Sequence, residues 1–291
     1  MSELFHSRDE VYVGRDAGGR TYTIDSATIA TYARGTDDDT ALYREPSFAA
    51  APVAPALLFH SEVYKDLGWY LPNLIGNLHA AQEWQIFRPM LLGDVVRSRS
   101  TVVERYRKRN RDYIVNEVVF TDAEGRWLQR SRTHQSFLID EGAEGIIVDK
   151  EREKRPDRVF DVGAGDGETL APLAKTITLE MCQAFSGPVP TYHTDREIAR
   201  AFGFPDVVVQ GMMSVCFVSE LMTRAFGAGW FYGGRLDVKL VNVVWPDDQL
   251  AVRGKVVEEV REGRKTRVRV EVWCEKPDGV KAVVGSASAL R

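Results

Sequence analysis

Residues 185–195 read FSGPVPTYHTD, a Gly- and Pro-bearing turn that leads to His193, and farther along VVVQGMM places Gln210, Gly211 and Met212 at the head of a long apolar run. An imidazole takes and gives protons near neutral pH because its unperturbed pKa is about 6.5. A glycine amide at a helix start has no partner in the helix, faces the positive end of the helix dipole, and has no side chain to hold a ligand off. Adding water across a double bond conjugated to a carbonyl needs a base for the water, a proton donor for C2, and support for an enolate oxygen. His193 suits the first two tasks and the Gly211 amide the third.

The polar groups around that histidine are Thr191, Tyr192, Asp195 and Gln210. Asp195 reads as the N-cap of the helix DREIARAF, and Gln210 can orient a water but cannot take its proton. In the first half of the chain Asp38 lies in DDD, a run that usually forms a solvated turn, and Tyr43 follows it. His60 and His79 read as structural or ligand-lining residues. Cys182, Cys216 and Cys274 are odd in number, far apart and set in apolar surroundings, which suits reduced core thiols and gives no metal site. No metal or other cofactor is expected.

Composition limits the classes of function. A net charge of −4 and a pI near 5.8 argue against a nucleic-acid partner, which usually shows a basic stripe. No stretch approaches 18 uninterrupted apolar residues, and MSELFHSRDEVYVGRD has neither a basic start nor an apolar run, so no membrane partner is expected and the location expected is cytoplasmic. GAGDGE is not GxGxxG and opens no helix, so it does not read as a dinucleotide loop.

The elements that must hold these residues come from an internal repeat. Asp94 matches Asp248, Val103 matches Val257 and Gly125 matches Gly279, each pair 154 residues apart. In the second copy QLAVRGKVVEEV, TRVRVEVWCEK and KAVVGSASAL alternate apolar and polar residues, the pattern of half-buried strands, with Gly- and Pro-bearing turns between them. Upstream of each three-stranded meander a helix is expected, over 207–227 in the second half and over 53–69 in the first. The reading is an α+β tandem, or double, hotdog fold, each half a long apolar helix wrapped by an antiparallel sheet. Its domains are 1–140 and 173–291, joined by a charged, Gly- and Pro-rich linker over 141–172.

YARGTDDDTALY, LHAAQEWQIFRPMLLGDVV, FSGPVPTYHTDREIARAFGF, VVVQGMM and LVNVVWPDDQLAVRGKV resemble successive blocks of the MaoC-like (R)-specific enoyl-thioester hydratases and dehydratases in their double-hotdog form. The resemblance covers nearly the whole chain. It implies a hydro-lyase of fatty-acid metabolism acting on 2-enoyl or 3-hydroxyacyl thioesters of CoA or a carrier protein, with the acyl thioester as the partner molecule. In that family an acid and a histidine hold the water, and the helix-start glycine receives the thioester oxygen. Laid on this chain, the histidine is His193 and the glycine Gly211, which makes those two the catalytic candidates. The acid position is Pro188, the following asparagine is Pro190, and the histidine before the glycine is Gln210.

The resemblance also places Asp38 at the acid position of a degenerate first-half block and Tyr43 where its histidine would be. Gln210, Tyr192, Met212, Asp38 and Tyr43 are therefore the candidate substrate-binding residues. Double-hotdog members often hold the acyl chain in the first half, which here points to residues 53–85. Two alternatives stay open: a hotdog subunit that binds acyl thioesters without turning them over, and a hotdog thioesterase using a helix carboxylate, Glu220 or Glu62. Tandem halves can complete a pseudo-dimer within one chain, and a homodimer of that unit is compatible with the sequence.

Overall fold

The computed structural model describes residues 10–68, 77–108, 111–138 and 160–291. In the first half come β1 (Asp16–Gly18), β2 (Thr21–Thr23), α1 (Ser26–Thr36), α2 (Glu62–Lys65), β3 (Leu78–Ile86), β4 (Val95–Lys108), β5 (Arg111–Thr121) and β6 (Trp127–Leu138). The second half brings β7 (Leu173–Thr176), α3 (Leu179–Ser186), α4 (Arg196–Ala201), α5 (Gly211–Phe226), α6 (Ala228–Phe231), β8 (Arg235–Leu240), β9 (Gln249–Glu262), β10 (Lys265–Glu275) and β11 (Lys281–Leu290). The repeat survives in three dimensions: β4 and β9 start at Val95 and Gln249, β5 and β10 at Arg111 and Lys265, and β6 and β11 at Trp127 and Lys281, all 154 residues apart.

The two halves merge into one antiparallel sheet of 11 strands in the order β1-β4-β5-β6-β3-β8-β11-β10-β9-β7, with β2 also on β4. The seam is the pair β3 and β8, where Glu83 faces Asp237, Ala81 faces Lys239 and Gln85 faces Arg235. Glu83 and Asp237 are themselves repeat equivalents, so a local two-fold axis passes between them. The architecture is the double hotdog, α+β with few helices.

Helix α5 is built mostly of apolar residues, with Glu220 and Arg224 near its end. It follows Gln210 in the N-cap position and ends where Gly227 takes a φ of 48° that a side chain would resist. Met212 through Thr223 are all buried, as a helix wrapped by a sheet requires. The sheet meets it with Leu236, Val252, Val270, Val283, Ala287 and Ala289, each buried.

The expected first-half helix over 53–69 is not formed within the described residues 53–68. Leu58, His60, Glu62, Tyr64 and Asp66 each donate a backbone N–H three residues back, to Pro55, Leu57, Phe59, Ser61 and Val63. The segment is a string of tight turns carrying only the four-residue α2. The sheet under it explains why. Gln82 stands where the second half has Leu236, Asn116 where it has Val270, Gln129 where it has Val283, and Gln135 where it has Ala289, all of them buried. An apolar helix gains little on such a face, and buried amides need partners. Gln82 accepts from Thr133 at 3.0 Å and contacts His79 at 3.1 Å, while Trp84 donates to Gln129 at 2.9 Å.

All three cysteines are buried and free. Burial pushes the Cys182 thiol up to about 11. Of the expected linker over 141–172, residues 141–159 lie outside those described, while its end is pinned to the second half: Thr169 bridges Lys255, and the Gly163 amide donates to Glu271 at 2.6 Å. Trp84, Trp230 and Phe231 are core residues, and Trp69 and Tyr70 lie outside the described residues.

Candidate functional site

His193 is placed by the short turn between α3 and α4. Thr191 and Thr194 close that turn, the Thr191 amide donating to Thr194 Oγ1 at 2.9 Å and the His193 amide to Thr191 Oγ1 at 3.1 Å. Asp195 then caps α4, accepting from the amides of Glu197 and Ile198, so it is occupied as the sequence suggested. Before the turn, Pro188, Val189 and Pro190 are exposed.

The turn is clamped to the strand-like segment that leads into α5. The Val208 amide donates to the Tyr192 carbonyl at 3.0 Å, and His193 Nδ1 meets the Val208 carbonyl at 2.7 Å. A carbonyl can only accept, so Nδ1 carries the proton and Nε2 is left with its lone pair. Tyr192 packs its ring 4.1 Å from the imidazole and reaches Phe202 and Phe204. Burial lowers the His193 pKa, and the Val208 contact opposes this in part. The result is a neutral imidazole at neutral pH, oriented by one bond to the carbonyl of Val208, which lies three residues before the α5 start.

Gly211 is the first residue of α5, so its amide has no partner within the helix. A Cβ built on it would lie 2.1 Å from Leu240 Cδ2, so the glycine also lets the helix start seat on β8. Gln210 does not cap α5 with its side chain. Instead its Oε1 accepts from Ser186 at 3.1 Å and its Nε2 donates to Ser61 at 3.1 Å. Met212 is wholly buried in the core.

The first half repeats the clamp with different chemistry. The Val53 amide donates to the Leu42 carbonyl at 3.0 Å and the Ala54 amide to Met90, as the Val208 amide does to Tyr192 and the Val209 amide to Val244. Tyr43 thus occupies the counterpart of His193, and its hydroxyl donates to Asp38 Oδ2 at 2.9 Å. Asp38 and Tyr43 border a cavity of about 460 Å³ with Ser26, Ile29, Thr40 and Arg44.

Asp38 is not brought to His193. Its carboxylate also accepts the Thr40 amide at 3.1 Å and hydroxyl at 2.5 Å, and lies 4.0 Å from Arg224 in the last turn of α5. Gly211 and Arg224 are separated by about 20 Å of helix at 1.5 Å per residue. Arg224 also holds Glu220, at 2.8 Å, and Asp39. Lys175 forms a buried ion pair with Glu220 at 2.8 Å and donates to the carbonyls of Thr36 and Asp37 at 3.0 and 2.5 Å. The first-half acid is therefore a strut between the halves. Three hydrogen bonds take up most of its acceptor positions.

Glu62, the other helix carboxylate, is equally engaged. It is buried, accepts from Tyr22 at 2.7 Å and Ser98 at 2.6 Å, and pairs with Lys65 at 3.2 Å. Among the described residues no group of three or more His, Cys, Asp or Glu side chains is arranged to hold a metal ion, and no helix is long and apolar enough to cross a membrane. Ser61, Ser186 and Lys175 support the site without any sequence signal, because their partners come from the other half or from distant turns.

Residues 174–276 match the model of the MaoC like domain, and residues 11–129 match that of the FAS1-like dehydratase domain region. No curated protein sequence is significantly similar to the chain. Among solved structures, a MaoC-like dehydratase superposes with a TM-score of 0.73 at 17% identity, covering 96% of this chain and 97% of the other. A MaoC-like dehydratase from Phytophthora capsici gives 0.71 at 18% identity over 98% and 99% of the two chains. A Mycobacterium tuberculosis protein described as having a double hotdog fold gives 0.61 at 14% identity over 97% and 96%. At these identities the structural likeness establishes the fold.

Proposed function

We propose, from the MaoC like domain match over 174–276, the dehydratase-region match over 11–129 and the double-hotdog fold, that the chain is a MaoC-like dehydratase that interconverts 2-enoyl and 3-hydroxyacyl thioesters of CoA or a carrier protein with His193 as its sole proton-transfer side chain. The observation that carries this reading is the 2.7 Å contact of His193 Nδ1 with the Val208 carbonyl, which leaves Nε2 unprotonated as a base on a turn tied to the segment that leads into α5.

In the hydration direction His193 Nε2 takes a proton from water as the water oxygen bonds to C3. The double-bond electrons move toward the thioester carbonyl, whose oxygen gains negative charge and is held by the Gly211 amide and the positive end of α5. The imidazolium then returns its proton to C2, and the enolate collapses to the 3-hydroxyacyl thioester. Elimination of water runs the same steps backward. One group serves both proton transfers, so the turnover expected is slow: a missing proton-transfer group costs about 100-fold to 10,000-fold.

Hydrolysis of the thioester is the weaker reading. Glu220 and Glu62, the carboxylates it would call on, are buried in ion pairs and hydrogen bonds. Incubation with crotonyl-CoA and longer enoyl-CoAs separates the cases: loss of enoyl absorbance without free thiol supports hydration, thiol release supports hydrolysis, and binding with neither supports a non-catalytic subunit.

A further inference from the structure

The Gln210 side chain is held from both halves of the molecule. Ser186, at the end of α3, donates its hydroxyl to Oε1 at 3.1 Å. Ser61, in the turn segment of the first half, lies 149 residues away in sequence and accepts from Nε2 at 3.1 Å. Ser61 Oγ also lies 2.7 Å from His60 Nδ1. A donation from Ser61 to Oε1 would span 3.3 Å, longer than the other contacts.

The protons along this chain can be placed. A hydroxyl that accepts from Gln210 has its own hydrogen free for His60 Nδ1 when that imidazole is neutral with its proton on Nε2. Burial keeps the ring neutral, pushing the His60 pKa down to about 3, and the order that follows is that of the Nε2-protonated tautomer. His60 is in turn fixed by stacking on Phe185, with ring centroids 3.8 Å apart and planes 14° from parallel. Phe185 and Ser186 open the same stretch that leads to His193. The order is Ser186 to Gln210 to Ser61 to His60, with each hydrogen pointing one way.

That order leaves one hydrogen of the Gln210 amide without a partner among the described residues, next in sequence to the unpartnered Gly211 amide. We propose that Ser61 is a positioning residue of the second-half site: it fixes Gln210 so that its second amide hydrogen joins the Gly211 N–H as a donor to the thioester oxygen. The site is then complete only when the first half is docked against it. This inference rests on the hydratase reading above. It also gives a reason for a glutamine ahead of Gly211, since a primary amide can hold a hydroxyl and an oxyanion at once.

The test is a double-mutant cycle on Ser61 and Gln210, read as kcat and KM for crotonyl-CoA hydration. Losing one donor to a developing oxyanion costs about 100-fold to 1,000-fold in kcat, and loosening that donor costs less. Ser61→Ala is expected to lower kcat about tenfold with KM within about twofold. Gln210→Ala should lower kcat further, and the double variant should match Gln210→Ala because Ser61 acts only through it. Ser61→Thr, which keeps the hydroxyl, should recover kcat to within about threefold.

A Ser61→Ala enzyme with kcat within twofold of the parent overturns the proposal, as does a double variant whose losses multiply. If Ser61→Ala does not fold, Gln210→Ala decides alone, and an unchanged kcat there overturns the proposal too. A parent protein that turns over no enoyl-CoA refutes the hydratase reading itself, and this inference with it. Turnover by the parent with an inert Ser61 refutes only the inference.

Discussion

His193 Nδ1 and the Val208 carbonyl oxygen are 2.7 Å apart, and this one bond decides which nitrogen of the imidazole is free. Burial lowers the pKa of that ring below the ordinary imidazole value, so Nε2 stays unprotonated into mildly acidic solution. The acid limb of kcat/KM for hydration is therefore expected below about pH 6.5. A pH profile measured on crotonyl-CoA checks this. An acid limb above that value would mean that another group is the base.

Gly211 has two uses, packing against Leu240 and exposing its amide, and they can be separated. Gly211→Ala puts a methyl against Leu240 Cδ2, and overpacking of this kind costs about 1–3 kcal/mol. Adding Leu240→Ala should return the urea midpoint most of the way while leaving hydration impaired. Recovery of both stability and rate would show that the glycine serves packing alone.

The buried pair of Lys175 and Glu220 should matter for folding and not for chemistry. Lys175→Met leaves Glu220 with only Arg224, and breaking a buried pair costs about 3–5 kcal/mol. Lys175→Met with Glu220→Leu should regain most of it. Asp38→Asn, which weakens the same strut, is expected to lower the unfolding midpoint and to change turnover far less than His193→Ala. Loss of activity in a fully folded Asp38→Asn protein would move the chemistry to the first half.

Two half-buried histidines contribute to the acid stability. Burial holds His60 at about 3 and His79 at about 4, both below the unfolded value of 6.5. The unfolded chain therefore binds protons that the folded chain refuses. The stability tied to these rings is complete above about pH 6.5 and is lost as pH falls toward 4 and then 3. Melting temperatures measured between pH 7 and pH 4.5 should fall, and His79→Gln should flatten the slope. A flat profile in the parent would show that both rings are solvated.

Much of the fold was legible because strand patterning survives divergence between the halves. Asp94 with Asp248 and Gly125 with Gly279 set an offset that the strand starts of both meanders obey. The helix over 53–69 was misread because its apolar residues, Ala54 to Phe59, looked like those of α5, whereas the sheet beneath presents Gln82, Asn116 and Gln135. That face is visible only once the two repeats are laid side by side as strands. Tyr43 as the counterpart of His193 follows from the resemblance, but the spending of Asp38 on Thr40, Tyr43 and Arg224 depends on how α5 passes the first half. Ser61 and Gln210 meet only because the halves dock.

The central claim is that one imidazole does the proton transfer. Its most direct measurement is the rate of enoyl absorbance loss from crotonyl-CoA for the parent protein and for His193→Ala, each shown to be folded by circular dichroism. Turnover by the parent and none above background by His193→Ala is the result expected. Equal rates for the two folded proteins would contradict it.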